Sequence, residues 1–298
     1  MKILDLKDLK NYQNNSVITI GFFDGVHKAH QVLLNTLVNT AKENNYESVV
    51  ITFSDDVLSL FKMSNNIMNL SDKLSVLEKI GVDNVVILST KDNFMNLSAK
   101  EFIDIYLDKL NTKIVVCGSD FSFAKKKEGN IEYLRKNHDY QIIEIDDIYD
   151  ENNNKISSTF IRNLLKEGKV DLANLYLYEN FNVKSKVISG KEIGRTIGFK
   201  TANLLINNQL KLLKTGVYFG RIKILNEYYK TMVNVGSNPT IDDSTNLKVE
   251  AHIIDFNKEI YDKDITIFFD LYHREEKKFD SLSDLQRQLE LDLNKIKN

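Results

Sequence analysis

The hydrophobic period of this 298-residue chain changes once, near residue 180, and that change restricts it to two domains of different fold class. Before it, short β-branched runs at 17–20, 49–53, 85–88, 114–116 and 141–145 alternate with helical patterns at 30–41, 73–80, 99–110, 131–137, 157–166 and 170–177. Such alternation predicts a parallel sheet with helices on both faces, a Rossmann-like α/β fold over residues 1–180. Beyond it, the spacing predicts strands at 181–188, 216–225, 228–235, 247–254 and 264–272, with turns at 225–227, 234–238 and 255–258. An antiparallel β-barrel over 181–298, ending in an amphipathic helix at 281–297 with a Ser/Asp start, follows from that pattern.

Composition narrows the functional classes. Lys+Arg 40 against Asp+Glu 42 leaves a net charge of −2, which argues against nucleic acid as the main partner but leaves small anionic ligands open. No apolar run reaches the length of a membrane span, and the opening MKILDLKDLK has no signal-peptide apolar core, so no membrane partner and a cytoplasmic location are expected. Cys117 is the sole cysteine, which excludes an internal disulfide, and its IVVCG setting reads as a buried strand. Tryptophan is absent and proline occurs once, at Pro239, while Asn and Lys are abundant, a bias we read as genome-wide compositional drift.

Ligands of open α/β sheets bind beyond the carboxyl ends of the strands, where the segments after residue 20, after Phe53 and after Cys117 fall. The first is GFFDGVHKAH, residues 21–30, which joins a strand to a helix. Gly21 and Gly25 permit a sharp bend or a close approach, and the helix start offers free N–H groups and the positive end of the macrodipole to an anion. His27 and His30 are three apart and share a face, from which both can donate to one phosphate. A bare His-x-x-His also describes two capping or surface histidines, and metal ligation would need a third ligand. The preceding strand, the two glycines and Asp24 favour a nucleotide site.

In their order along the chain these motifs resemble the bacterial bifunctional riboflavin kinase and FMN adenylyltransferase (FAD synthetase) family. The resemblance rests on the histidine motif, Thr52-Phe53, GSDFSF at 118–123 and Ser157-Ser158-Thr159 with Arg162 in the first half, and it implies a nucleotidyltransferase there. In the second half it rests on GKEIGRTIGFKTANL at 190–204, GVY at 216–218, NVGSNPT at 234–240, VEAHIIDF at 249–256 and HREEKKFDSL at 273–282, and it implies a riboflavin kinase-like barrel. ATP would then bind against His27 and His30 and the turn residues Gly21, Phe23, Asp24 and Gly25, with Ser158, Thr159 and Arg162 on its phosphates. Asp120, Phe121 and Phe123 would lie near the flavin of the adenylyltransferase. In the kinase, Gly194 and Gly198 would shape a phosphate loop with the 201–203 run, Thr201 and Asn203 would hold Mg²⁺ and ATP, Glu250 would be the base, and Arg274, Glu276 and Phe279 would lie near the flavin. ATP, riboflavin, FMN and FAD are the implied substrates and products, and the oligomeric state is left open.

Four departures from the family pattern stand out. Ala29 stands where glycine is usual, and its methyl is costly only if φ is positive. Ser54, Asp55 and Asp56 replace an Asp-Pro-His, Ala124 replaces a glycine with Ser119 in place of a common acidic residue, and Lys200 replaces the proline before Thr201. Because these departures concentrate in the first half, alternatives are a single-activity riboflavin kinase with a degenerate first domain, a nucleotidyltransferase for another phosphorylated acceptor such as a pantetheine or pyridine compound, and a non-catalytic flavin-binding protein.

Overall fold

The computed structural model describes residues 1–60, 65–188, 199, 201–207, 209–237 and 247–297. It divides into two compact units, Met1–Ser158 and Thr159–Asn298. In the first, the strands are β1 (Lys2–Leu4), β2 (Ser16–Ile20), β3 (Glu47–Phe53), β4 (Asn84–Leu88), β5 (Thr112–Gly118) and β8 (Gln141–Ile145), with a two-residue hairpin of β6 (Ser122–Phe123) and β7 (Gly129–Asn130). The six form one sheet in the order β1-β4-β3-β2-β5-β8, and every pairing is parallel. Helices α1 (Leu6–Lys10), α2 (Lys28–Asn44), α3 (Asp55–Leu60), α4 (Leu70–Ile80), α5 (Ala99–Phe102) and α6 (Ile131–Asn137) connect them.

Alternate strand residues point to opposite faces, and the core divides accordingly. Val17, Val50, Val85, Ile114 and Val116 pack beneath the apolar stripes of α2 and α4. Their neighbours Ile18, Ile51, Val86, Val115 and Cys117 pack on the other side against Phe102, Tyr106 and Leu134. Cys117 lies in that second layer, and burial pushes its thiol up to about 12, so it is an inert strand residue. The strand order reverses at β2, between β3 and β5, so a crevice opens beyond the carboxyl ends of β2 and β5.

The second unit holds the strands β9 (Asn182–Ile188), β10 (Thr201–Leu204), β11 (Gly216–Ile224), β12 (Glu227–Ser237), β13 (Leu247–Ile253) and β14 (Asp264–Arg274). They close into an antiparallel barrel, β10-β13-β12-β11-β14-β9. Along β13 the buried Val249, Ala251 and Ile253 turn inward, and Glu250 and His252 turn outward. The C-terminal helix α9 (Leu282–Lys297) covers part of the outer wall, where Leu289, Leu293 and Ile296 pack on Phe199, Phe219 and Met232. Helix α7 (Ser158–Lys166) begins at the boundary between the units, and α8 (Val170–Tyr176) follows it.

Several elements differ from the sequence expectation. Residues 201–203 are not a loop but strand β10, because Ala202 and Leu204 are drawn into the barrel. Residues 234–237 continue β12 rather than turning, held by pairing with β11 and β13. The helix at 99–110 keeps α geometry only to Phe102 and runs on as a π-helical turn, Ile103–Leu107. The opening segment supplies β1, paired to β4, and a short α1 whose Asp5 and Asp8 form a capping box.

Candidate active sites

In the first unit the histidine motif turns through three left-handed residues, Phe23 (φ 49), Gly25 (φ 78) and Val26 (φ 39). Gly25 adopts this conformation freely, but a β-branched residue there is an outlier, and such residues store about 1–3 kcal/mol each where the surroundings enforce them. Gly21 contributes space rather than conformation, since a Cβ would stand 3.0 Å from the Phe23 ring. His27 is the N-cap of α2, and its carbonyl accepts the first intrahelical bond from Gln31 at 2.9 Å. The amides of Lys28, Ala29 and His30 therefore precede the helix's own acceptors and face outward from its positive end.

The two imidazoles stack with centroids 3.7 Å apart, and Phe23 meets His30 edge-on at 5.2 Å. Burial, His27 and the charge of Lys73 hold the His30 imidazole well below its ordinary range, so His30 is neutral at pH 7. Its buried Nδ1 has no hydrogen-bond partner among the described residues. Ala29 lies within α2, so its methyl carries no backbone strain.

A motif 134 residues away joins this turn, since Ser158 Oγ donates to the Asp24 carbonyl at 3.0 Å. The Asp24 carboxylate is buried and accepts from the amides of Ile67 (3.0 Å) and Met68 (3.1 Å), which ties the segment before α4 to the turn. Thr159 and Arg162 follow Ser158 on α7 and belong to the second unit. After β5, Asp120 is exposed, 3.9 Å from Lys155 Nζ, and Phe121 packs on Phe123 at 5.6 Å. Phe123 itself is buried against Phe102. Ala124 takes φ 64 and ψ −177, a conformation reserved almost wholly for glycine, so the substitution noted at this position is strained.

Lys73 was not foreseen from sequence. It is 3% exposed, on α4, and its ammonium donates to the Phe22 carbonyl (2.9 Å), Thr52 Oγ1 (3.1 Å) and the Phe53 carbonyl (3.2 Å). All three acceptors lie at or just past the carboxyl ends of β2 and β3. Burial lowers Lys73 to about 8, opposed by the negative charges of Asp24 and Asp55. The neighbouring Ser54, Asp55 and Asp56 act as local anchors: Asp55 accepts from the Leu70 amide at 3.3 Å, and Asp56 from the Thr90 amide at 3.0 Å and from the Ser54 and Thr90 hydroxyls.

In the second unit, strand register assembles a polar patch on the outer barrel wall. Asn203 of β10, Glu250 of β13 and Asn234 of β12 lie directly opposite one another, and Thr201, His252 and Met232 form the adjacent row. A cavity of about 300 Å³ opens over this patch, lined by Thr201, Asn234, Glu250 and His252 on the wall, Arg274 at the end of β14, Glu276, Lys277 and Phe279 after it, and Leu285 and Leu289 of α9. Glu250 Oε1 is 2.7 Å from Lys248 Nζ, two residues along the same face. Glu276 packs closely on β12, its Oε1 lying 2.4 Å from where a Cβ at Gly236 would stand.

A second cavity, about 110 Å³, lies beside the first, lined by Ala202, Ala251, Ile253 and residues 256–261. Thr201 lines both. Gly194, Gly198, Lys200 and the 238–240 end of NVGSNPT lie outside the described residues. Among the described residues no cluster of three or more His, Cys, Asp or Glu could hold a metal, and no helix is long and apolar enough to cross a membrane.

Comparison with known proteins bears on both halves of the chain. Residues 9–160 match the FAD synthetase family model and residues 177–298 the riboflavin kinase model. A bifunctional riboflavin kinase/FMN adenylyltransferase of Buchnera aphidicola is 33% identical over 100% of this chain and 98% of its own length. One of the same description from Listeria monocytogenes is 36% identical over 93% of this chain and 90% of its own. A crystal structure from Streptococcus pneumoniae, described as a macrolide-efflux protein, superposes with a TM-score of 0.88 at 31% identity over 100% of this chain and 98% of that one. With both family models matched in sequence order and curated relatives matched from end to end, the chain belongs to the bifunctional riboflavin kinase/FMN adenylyltransferase family.

Proposed function

We propose that the chain phosphorylates riboflavin to FMN in residues 181–298 and adenylylates FMN to FAD in residues 1–180, with ATP as donor in both steps. The observation that carries this reading is the 300 Å³ cavity, in which Thr201, Asn234, Glu250, Arg274, Glu276 and Phe279, drawn from separate stretches of sequence, line one space. Glu250 takes the proton of the riboflavin 5′-hydroxyl as its oxygen attacks the γ-phosphorus of ATP, and ADP leaves. Thr201, common to both cavities, marks where donor and acceptor meet, with flavin under α9 and nucleotide in the smaller cavity. Mg²⁺ when bound neutralises phosphate charge, and the Thr201 hydroxyl and the Asn203 amide oxygen, hard donors on one face of β10, are the residues that would hold it.

In the first unit an FMN phosphate oxygen attacks the α-phosphorus of ATP and pyrophosphate leaves. No covalent enzyme intermediate is needed, so positioning and stabilisation of charge account for catalysis. His27, neutral His30 and the first amides of α2 supply donors to the phosphates, Ser158 braces the turn through the Asp24 carbonyl, and Asp120, Phe121 and Phe123 serve the flavin. The protein is assigned to the cytoplasm, with flavins and ATP as its partners and neither nucleic acid nor membrane among them.

Chromatography of products from riboflavin, ATP and Mg²⁺, repeated from FMN, tests this reading. Formation of both FMN and FAD supports it. FMN alone would leave a single-activity kinase, and tight flavin binding without ATP consumption would leave a binding protein.

A further inference from the structure

Helix α9 carries its most buried side chain where an apolar residue is expected. Leu285, Leu289, Leu293 and Ile296 form the stripe that meets the barrel, and within it stands Asp292, 1% exposed. Burying a carboxylate is costly, and a helix that needed only a seat on the barrel would be served as well by leucine. The cost is met by four donors. Asp292 Oδ2 accepts from Arg274 Nε at 3.0 Å and Nη2 at 2.7 Å, and Oδ1 accepts from His273 Nε2 at 3.0 Å and Gln288 Nε2 at 2.8 Å. Burial pushes the Asp292 carboxyl up, but these hydrogen bonds outweigh it and hold the group below the ordinary range, so it is ionised at pH 7.

The partners of Asp292 lead into the cavity. Arg274 lines it, and so does Lys277, whose Nζ donates to Gln288 Oε1 at 3.4 Å. A guanidinium has five N–H donors in a rigid fork. Asp292 takes two and the Glu275 carbonyl a third at 3.0 Å, which fixes the plane of the group and leaves two donors among the described residues for a ligand. His273 is also fixed, with its ring stacked on Phe219 at 4.2 Å. Among the described residues, the other cation lining the cavity, Lys248, is engaged with Glu250 instead.

We propose that Asp292 is a positioning residue of the kinase: from the C-terminal helix it sets the orientation of Arg274, and through Gln288 that of Lys277, toward the acceptor-rich ring edge of the flavin. This rests on the reading of the 300 Å³ cavity as the riboflavin site. The last helix is thereby part of substrate recognition as well as a cover for the barrel.

The test is a double-mutant cycle in the full chain with D292N, R274A and the combination, reading KM for riboflavin, KM for ATP and, as control, FMN-to-FAD conversion by the same protein. D292N is expected to raise the riboflavin KM about tenfold, to leave the ATP KM within about twofold, and to add nothing once Arg274 is alanine. An equal D292N effect in the R274A background, or a parallel rise in the ATP KM, would make Asp292 a structural anchor only and overturn the proposal. An R274A protein with unchanged riboflavin KM would overturn the proposal together with the assignment of the cavity. If D292N unfolds the second unit, R274K replaces it, because lysine keeps the charge but cannot form the fork; a rise confined to the riboflavin KM supports the proposal, and no rise overturns it.

Discussion

Replacing Glu250 with glutamine separates the chemistry of the barrel from its stability. The side chain is 26% exposed and pairs with Lys248, itself 44% exposed, at 2.7 Å. An ion pair that open to solvent contributes about 0–1 kcal/mol, and the amide oxygen of glutamine still accepts from Lys248. The barrel interior is untouched, because Val249 and Ala251 on either side point the other way. Melting should therefore fall by a few degrees at most. Loss of a general base costs about 10²–10⁴ in rate, or about 3–5 kcal/mol of barrier, several times the change in folding energy. Initial rates of riboflavin phosphorylation should drop by at least about a hundredfold in E250Q, while FMN is still converted to FAD at the unmodified rate. A kinase rate within about tenfold of the parent would refute the assignment of the base. A parallel loss of FAD formation would show that the substitution acts through folding.

Two further predictions concern the first unit. Because Lys73 titrates near 8 when folded against an ordinary 10.5, the unfolded chain holds that proton more tightly; its penalty, about 3 kcal/mol from the shift, is constant below pH 8 and is relieved as pH rises from 8 to 10.5. Urea titrations at pH 7.5 and 10 should show the parent gaining about 2–3 kcal/mol relative to K73M, and a difference independent of pH would refute the burial argument. The two alanines that stand in place of glycine should respond oppositely: A124G should stabilise by about 1–2 kcal/mol by relieving φ 64, and A29G should destabilise by about 0.5–1 kcal/mol within α2. Equal signs in denaturant melts would contradict the dihedrals.

Much of this architecture is legible in sequence because burial writes a period. The strands of the parallel sheet are sandwiched between helices and read as continuous apolar runs, and the barrel strands alternate. Residues 201–204 escape this reading because a four-residue strand in which Thr201 and Asn203 alternate with Ala202 and Leu204 offers too short a pattern, and its pairing with β13 is set by a partner some fifty residues away. Residues 234–237 fail for a related reason: Asn, Gly and Ser signal a turn locally, but pairing with β11 and β13 keeps them in the strand. The motifs point to both candidate sites, yet Lys73 and Asp292 elude them. Each occupies an apolar stripe, at 70-73-77-80 and at 285-289-292-296, and a charge on such a stripe is the signal that would have found them. Its meaning depends on acceptors and donors that only the folded chain brings near.

The position of the 300 Å³ cavity on the outer wall of the barrel bears on how such an enzyme can change. Along β13, even-numbered residues face the larger cavity and odd-numbered ones fill the interior, with Ala251 and Ile253 also lining the smaller cavity. At the larger cavity, selection for a stable barrel and selection for a substrate thus act on interleaved sets of positions, which overlap only where Ala251 and Ile253 reach the smaller one. A lineage can drift at 248, 250 or 252 toward another acceptor without loosening the wall, and the compositional bias of this chain can replace the interior residues with others of like volume without altering what the cavity sees.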